Sequence, residues 1–368
     1  MQAFPTGAMT MLKKMIVAKK TFRSHFIYRV AGLPRNNWLG AMVLFLIGMP
    51  VAIMVLPPAV SFWVSAALAA LLAASLIVNA WGRYTGGLLV TPALMLLFLM
   101  NIFPLLWSFG LSFFSYRANR MKAPVFVGLQ NYENVMTDPV VWDRLHTTAI
   151  MVVLTVSVQM IVGSLLALLF AKQFPLRRFL MILVLTPMML SFVAVGAFFR
   201  YYYEPSLGLL SQFVRLFTGE PYVLMQSVWG ARAGIIFADA WMWSPFVMLL
   251  VLAGLVSVPK YLYEAAAIDR VPAWRQFRSI TLPYIRGLLL LALLFRTIEA
   301  FKLFDVVFLL TEGGPGTATE TIAVYVYRVA FQYVKTSESA ALAYILLFTV
   351  IALTNLYLYF ANRRAKEA

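Results

Sequence analysis

The sequence predicts an all-α polytopic membrane protein with about eight transmembrane helices. Three observations carry that prediction. Of 368 residues, 62% are hydrophobic and only 12% charged, whereas a soluble domain carries about 25% charged residues to cover its surface. The apolar residues fall in runs of roughly 20, the length that crosses a bilayer as a helix, and the alternation that a membrane barrel needs is missing. The 30 Lys and Arg residues are distributed unevenly about those runs.

Residues 1–37 hold Lys13, Lys14, Lys19, Lys20, Arg23, Arg29 and Arg35 and no acid. The apolar stretch that follows is too long for the core of a signal peptide and shows no clear cleavage site, so none is expected. The expected spans are Trp38 to Leu56, Val60 to Trp81, Leu88 to Phe114, Thr148 to Ala171, Phe179 to Arg200, Gly234 to Val256, Gly287 to Leu310 and Ala340 to Phe360. With the N-terminus inside, 19 basic residues lie in inside segments and 9 in outside segments, while acids number 3 inside and 8 outside. That is the positive-inside bias, and it puts both termini in the cytoplasm. The expected organisation is a cytoplasmic basic segment at 1–37, N-terminal spans including two accessory helices at 38–114, an external loop at 115–147, a core at 148–361 with a cytoplasmic loop at 257–286, and a cytoplasmic tail at 362–368. The loops Ser115 to His146 and Tyr201 to Ala233 mix Pro, Gly, aromatic and charged residues and are expected to be ordered.

Several chemistries are excluded or disfavoured. Cysteine is absent, which removes disulfides, thiol chemistry and thiolate metal sites. His25 and His146 are far apart, so no histidine metal centre is expected. The sequence has no GxxxxGK[ST] loop and therefore no P-loop ATPase site, and no HExxH or GxSxG motif. The formal charge of +16 is accounted for by membrane topology, and nucleic acid is not an expected partner.

Charges within spans are costly and mark function or internal pairing. Asp239, Arg296, Glu299, Lys302 and Asp305 lie within expected spans. Glu299 and Lys302 are three apart, as are Lys302 and Asp305, so each pair can meet on one helix. Two readings stay open: an ion-pair ladder that neutralises itself, and a polar cavity for a hydroxyl-rich substrate. Asp239, Met242, Trp243 and Phe246 follow i, i+3, i+4, i+7 spacing on one helix face. A carboxylate beside aromatic rings suits sugar recognition, the acid accepting from hydroxyls and the ring packing on C–H bonds.

The inside loop Ser257 to Gly287 is longer than a connection requires. Ser257 is positioned to cap a first helix, with Pro259 in its first turn. The run Tyr261 to Asp269 follows, with three consecutive alanines that let another backbone approach closely. Pro272 starts a second short helix and Pro283 ends it before the membrane. Thr321 to Val334 is amphipathic and aromatic and is expected to lie along the outer membrane surface.

Here the sequence resembles a known family. Glu264, Ala265 and Ala266, with Ile280-Thr281-Leu282-Pro283 sixteen residues after Glu264, resemble the EAA loop of ABC importer permeases. Arg270 stands where that family usually has a glycine, which makes a left-handed turn there costlier. Val127-Gly128-Leu129-Gln130-Asn131-Tyr132 with Asp138-Pro139 resembles the segment before the core spans of maltose-type, binding-protein-dependent sugar permeases. Asp239 to Phe246, reading DAWMWSPF, is similar to their W-x-x-x-P-[FY] span. Phe304-Asp305 and Leu310-Thr311-Glu312-Gly313-Gly314-Pro315 are similar to their F-D and L-T-x-G-G-P stretches.

The resemblance covers about Val127 to Phe360. It implies a six-helix type I ABC importer permease core that imports a carbohydrate (sugar or polyol) across the cytoplasmic membrane by alternating access. It implies four kinds of partner: a second permease subunit, two ATP-binding subunits, an external solute-binding protein and the lipid bilayer. It implies no cofactor, since ATP is bound by the partner subunits, and no enzymatic site. Glu264, Ala265, Ala266, Ala267, Asp269 and Arg270 would couple to the ATPase. Asp239, Met242, Trp243, Phe246, Arg296, Glu299, Ala300 and Leu303 fall where the family holds sugar. An ion-coupled secondary transporter using embedded carboxylates is the alternative, but it leaves the Glu264 to Pro283 loop unexplained.

Overall fold

The computed structural model describes residues 44–45, 47–52, 55–81, 93–120, 122–220 and 223–366. The basic N-terminal segment, the start of the first expected span, the start of the third and the last two residues of the tail lie outside them. The chain divides into two compact units, Met1–Glu133 with Val334–Ala341, and Asn134–Tyr333 with Leu342–Ala368.

In the first unit, α1 (Pro58–Trp81) and α2 (Phe103–Leu111, continuous with a π-turn at Phe98–Ile102) pack around Phe45, Met49, Ala69, Leu72, Phe103, Leu111 and Phe114. β1 (Phe114–Ser115) and β2 (Val125–Phe126) then pair antiparallel, Phe114 opposite Phe126. The Val127 to Tyr132 motif makes local sense here. Gly128 takes a positive φ of 60°, where glycine is the least strained residue. Buried Asn131 donates from Nδ2 to the carbonyls of Ser112 and Phe114, each at 2.8 Å. Helix α3 (Gln130–Thr137) follows.

In the second unit, α4 (Pro139–Ala171) begins nine residues before the expected span. The Asp138-Pro139 pair explains the early start. Asp138 caps the helix by accepting the Val140 N–H at 2.9 Å, and Pro139 sits in the first turn, where its missing N–H has no intrahelical partner to lose. At the other end Arg177 Nε donates to the Phe170 carbonyl at 2.8 Å, so this arginine caps a helix C-terminus.

Two expected spans are broken. Phe179 to Arg200 is α5 (Arg177–Leu185), a 3₁₀ turn at Thr186–Met189 and α6 (Phe192–Tyr202), bent by 102°. Pro187 supplies no N–H to the ladder, and Ser191 recaps the chain by accepting from the Ala194 N–H at 3.2 Å. The described part of the loop after it forms α7 (Leu209–Thr218) and a short 3₁₀ turn at Leu224–Gln226. Gly287 to Leu310 is likewise two pieces. Helix α11 (Leu282–Ala300) stops, residues 301–304 are irregular, and α12 (Asp305–Thr311) restarts. Lys302 therefore lies beyond the end of α11 rather than within a span.

Between these pieces, α8 (Val228–Ser257) is an uninterrupted helix despite Pro245. It is followed by α9 (Lys260–Ile268) and α10 (Ala273–Gln276). Ser257 Oγ donates to the Gly254 carbonyl at 2.7 Å, so it closes α8 and leaves Pro259 at the N-cap of α9. Pro283 does not end the second helix. A π-turn at Phe277–Thr281 runs directly into α11, and its wider hydrogen-bond ring accommodates the proline without a break.

The segment expected on the outer surface is α13 (Ile322–Tyr327) with a π-turn at Arg328–Gln332. Its apolar face is inside the protein: Ile322, Val324 and Val329 are buried. The chain ends with α14 (Thr336–Lys366).

Among the described residues, five helices are long and apolar enough to cross a bilayer, or six if the bent pair is one span; Val60–Leu72 is a shorter apolar stretch. The outward face of α4 carries Val153, Ile161, Leu165 and Leu169, all more than half exposed. So large an apolar surface is suited to lipid rather than water.

Close approach of α4 and α8 depends on Gly163. A Cβ there would lie 2.5 Å from Val247 Cβ and 2.7 Å from the Ser244 carbonyl oxygen. Small residues permit such contacts between membrane helices. Gly163→Val is therefore expected to lower the stability of the solubilised protein by at least about 1–3 kcal/mol. Gly287→Ala, where nothing lies within 4 Å, is expected to be neutral or slightly stabilising. Thermal melting of the two variants checks the contrast.

Candidate substrate cavity and coupling helix

Three helices of the second unit bring polar groups into the apolar bundle. Gln159 comes from α4, Asp239 from α8 and Arg296 from α11. Arg296 Nη2 and Asp239 Oδ2 are 3.3 Å apart, and both side chains are 2% exposed. Arg296 Nε donates to Gln159 Oε1 at 2.8 Å, and Gln159 Nε2 donates to Asp239 Oδ2 at 2.5 Å. The guanidinium carbon lies 4.6 Å from the centre of the Trp243 ring, a cation–π contact strengthened by loss of water. Gln159 completes this cluster, yet its sequence gives little sign of it: a neutral amide in an apolar run can equally be a local helix contact.

The cluster forms one wall of a cavity of about 200 Å³. Asp239, Trp243, Arg296, Glu299 and Leu303 line it, together with Phe192, Lys302, Phe304, Asp305 and Val306. The last five lie at or beyond helix ends. The breaks at 186–191 and 301–304 bring them in; of the five, only Lys302 and Asp305 are marked in the sequence as charges within an expected span. Glu299 and Lys302 pair at 2.6 Å, as their spacing allows. Phe192 and Trp243 rings lie 5.8 Å apart.

Three residues of the expected set are elsewhere. Met242 is in the core with Met151, Val195 and Ile235. Ala300 packs with Val152 and Val156. Phe246 lies against Phe295 at 6.3 Å and is not part of the cavity lining. The i+3 and i+7 positions diverge from Asp239 and Trp243 because Met242 packs with Met151 of α4 and Phe246 with Phe295 of α11.

The irregular wall is held from outside. Thr321 Oγ1 donates to the Leu303 carbonyl at 2.8 Å. Next to it, buried Glu320 forms ion pairs with Arg144 and with Arg328, the latter at 2.7 Å. Thr148 Oγ1 accepts the Ile322 N–H at 2.7 Å. Within the Gly-Gly-Pro turn, Gly313 has a φ of 93° and the Gly314–Pro315 bond is cis. Thr319 Oγ1 donates to the Gly314 carbonyl at 2.6 Å.

On the loop between α8 and α11, α9 ends in a Schellman arrangement. The Val271 N–H donates to the Ala266 carbonyl at 2.9 Å and the Arg270 N–H to the Ala267 carbonyl at 3.1 Å. Arg270 takes the left-handed position, φ 51°, at a cost of about 1–2 kcal/mol relative to a right-handed residue. Glu264, Ala265, Ala267, Asp269 and Arg270 are exposed, whereas Ala266 is buried within the chain. Tyr263 Oη and Thr281 Oγ1 are 2.8 Å apart, tying α9 to the segment that leads into α11.

Breaking the buried pair by Asp239→Asn leaves Arg296 without its counter-charge and is expected to cost about 3–5 kcal/mol of stability. Combining it with Arg296→Gln is expected to recover part of that loss, a positive coupling readable in a double-mutant cycle of melting temperatures.

The comparisons with known proteins agree with this architecture. The profile of the family described as "Binding-protein-dependent transport system inner membrane component" matches residues 159–366. The chain is 33% identical over 280 residues to the sulfoquinovosyl glycerol transport system permease protein SmoG of Agrobacterium fabrum, covering 75% of this chain and 90% of that protein. It is 32% identical to the trehalose/maltose transport system permease protein MalF of Thermococcus litoralis, over 74% of this chain and 92% of that one. Its fold is similar to a chain in the crystal structure of a bacterial ABC transporter involved in import of the acidic polysaccharide alginate. The TM-score is 0.67 at 19% identity, covering 78% of this chain and 98% of that one. A family match over more than half the chain, and relatives matched over nine-tenths of their own length, place this protein in the binding-protein-dependent transport system inner membrane component family, as an ABC transport permease.

Proposed function

We propose that the protein is a permease subunit of an ATP-driven importer that moves a carbohydrate (sugar or polyol) across the cytoplasmic membrane by alternating access. The observation that carries this reading is the connection between α9 and the cavity. The exposed face of α9 offers Glu264, Ala265, Ala267 and the 82% exposed Ile268 to a partner. Its hydroxyl bridge from Tyr263 to Thr281 leads into α11, the helix that carries Arg296 and Glu299. A push on α9 is thus delivered to a cavity wall. The relatives whose names specify trehalose/maltose and sulfoquinovosyl glycerol support a carbohydrate cargo, as does a cavity with carboxylates beside Phe192, Trp243 and Phe304.

In this reading a solute-binding protein delivers the cargo outside and a second permease completes the pathway. Two ATP-binding subunits, which supply the only nucleotide sites, drive α9. Both termini lie in the cytoplasm. The ion-coupled alternative loses support because its candidate carboxylates are paired, Asp239 with Arg296 and Gln159 and Glu299 with Lys302.

Two experiments test this. Ala267→Trp and Glu264→Lys are expected to abolish uptake and lower ATPase recovery in a pull-down, while Ala266 is unsuitable because it packs within the chain. Full recovery with normal uptake contradicts the coupling role. For orientation, the chain has no cysteine, so single cysteines at exposed Asn119 and Trp274 report directly. A membrane-impermeant maleimide added to intact cells is expected to label Asn119→Cys and to leave Trp274→Cys unlabelled.

A further inference from the structure

We propose that Asp305 is the substrate-facing acid of the cavity, and that the cavity admits an uncharged or amine-bearing carbohydrate and turns away one bearing a carboxylate, sulfonate or phosphate. This rests on the carbohydrate reading above and narrows its substrate class.

Five charged side chains line the cavity: Asp239, Arg296, Glu299, Lys302 and Asp305. Four are matched. Asp239 faces Arg296 at 3.3 Å and also accepts from Gln159. Glu299 holds Lys302 at 2.6 Å. Asp305 makes no ion pair or side-chain hydrogen bond among the described residues, although it is half-buried. It is the first residue of α12, immediately after the irregular stretch 301–304, so its carboxylate is delivered to the cavity by the helix break itself.

The lining therefore carries one negative charge beyond its internal pairs. An ionised carboxylate only accepts hydrogen bonds. Sugar hydroxyls donate to it, and an ammonium adds a charge-assisted bond. An incoming anion meets the reverse situation. The two cations are already engaged, and taking Lys302 would leave Glu299 and Asp305 unmatched in the same small space, a like-charge arrangement that selects against the wrong ligand. Arg296 is less accessible still, since its guanidinium is buried against Trp243, Gln159 and Asp239. Phe192, Trp243 and Phe304 supply apolar surface for a sugar ring, which adds no charge preference.

The test uses the complete transporter in cells lacking other uptake systems, with labelled trehalose, maltose, lactose, glucosamine, glucuronate and sulfoquinovosyl glycerol as probes. ATP-dependent uptake is expected for at least one uncharged or amine-bearing probe and for neither anionic one. Asp305→Asn, which keeps the side chain's shape, is expected to raise the half-saturation concentration about ten- to a hundredfold with unchanged complex yield. Asp305→Ser is the second variant should the amide impair assembly. ATP-dependent uptake of glucuronate or the sulfonated glycoside by the wild type overturns the charge selection. Unaltered uptake by an assembled Asp305 variant overturns the role of Asp305. Uptake of no probe at all overturns instead the carbohydrate reading, and this inference with it.

Discussion

The guanidinium of Arg296 is the group around which the second unit is organised. A charge buried to this degree in an apolar bundle needs both a counter-ion and hydrogen-bond partners. Asp239 and Gln159 supply them from two other helices, so the demand of one side chain fixes three spans in register. Those helices must also approach closely, and Gly163 makes room where Val247 and the Ser244 carbonyl cross α4. Trp243 then covers the guanidinium and presents its remaining surface to the cavity. Polar pairing, small-residue contact and aromatic wall are consequences of one requirement.

The irregular backbone follows from the same logic. Non-helical chain at membrane depth is tolerated where it is covered by protein or lines a cavity. Residues 301–304 do line the cavity, and the Leu303 carbonyl is satisfied by Thr321. Thr321 is held in place by its neighbour Glu320, which sits between Arg144 and Arg328. The buried ion network around Glu320, just before α13, thus supports a break that would otherwise leave the Leu303 carbonyl unpaired. The break delivers Lys302, Phe304 and Asp305 to the site, so the irregular stretch and the chemistry of the cavity are coupled structurally.

The other end of α11 meets the loop that carries α9. Arg270 adopts a backbone conformation that glycine would take more cheaply, and the two Schellman hydrogen bonds retain the turn despite the side chain. The result is a short helix with a defined stop, fastened through Tyr263 to Thr281. A π-turn rather than a proline break joins this region to α11, which makes the loop and the span one continuous element rather than a hinge.

Much of this was legible in the residues alone. Apolar run length and the distribution of basic residues establish a helical membrane protein, because lipid imposes both. The family motifs are local strings, and several have local causes: Asp138-Pro139 starts a helix, Asn131 staples the chain ahead of it, and Glu264, Ala265 and Ala267 lie on the exposed face of a short helix. The 3.6-residue period also placed Asp239 with Trp243 and Glu299 with Lys302. What periodicity could not supply is where a helix stops for tertiary reasons. Thr321 to Val334 looks like a surface helix, yet its apolar face is buried: Ile322 is fully covered and Val324 packs into the bundle core. Pro283 looks like a terminator, yet the π-turn absorbs it. Met242 and Phe246 share a helical stripe with Asp239, but which part of a stripe meets a cavity depends on the neighbour covering the rest. Gln159 became part of the site only through Asp239 and Arg296, both distant in sequence, because a side chain's partners across a bundle are chosen by packing and not by the residues beside it in the chain.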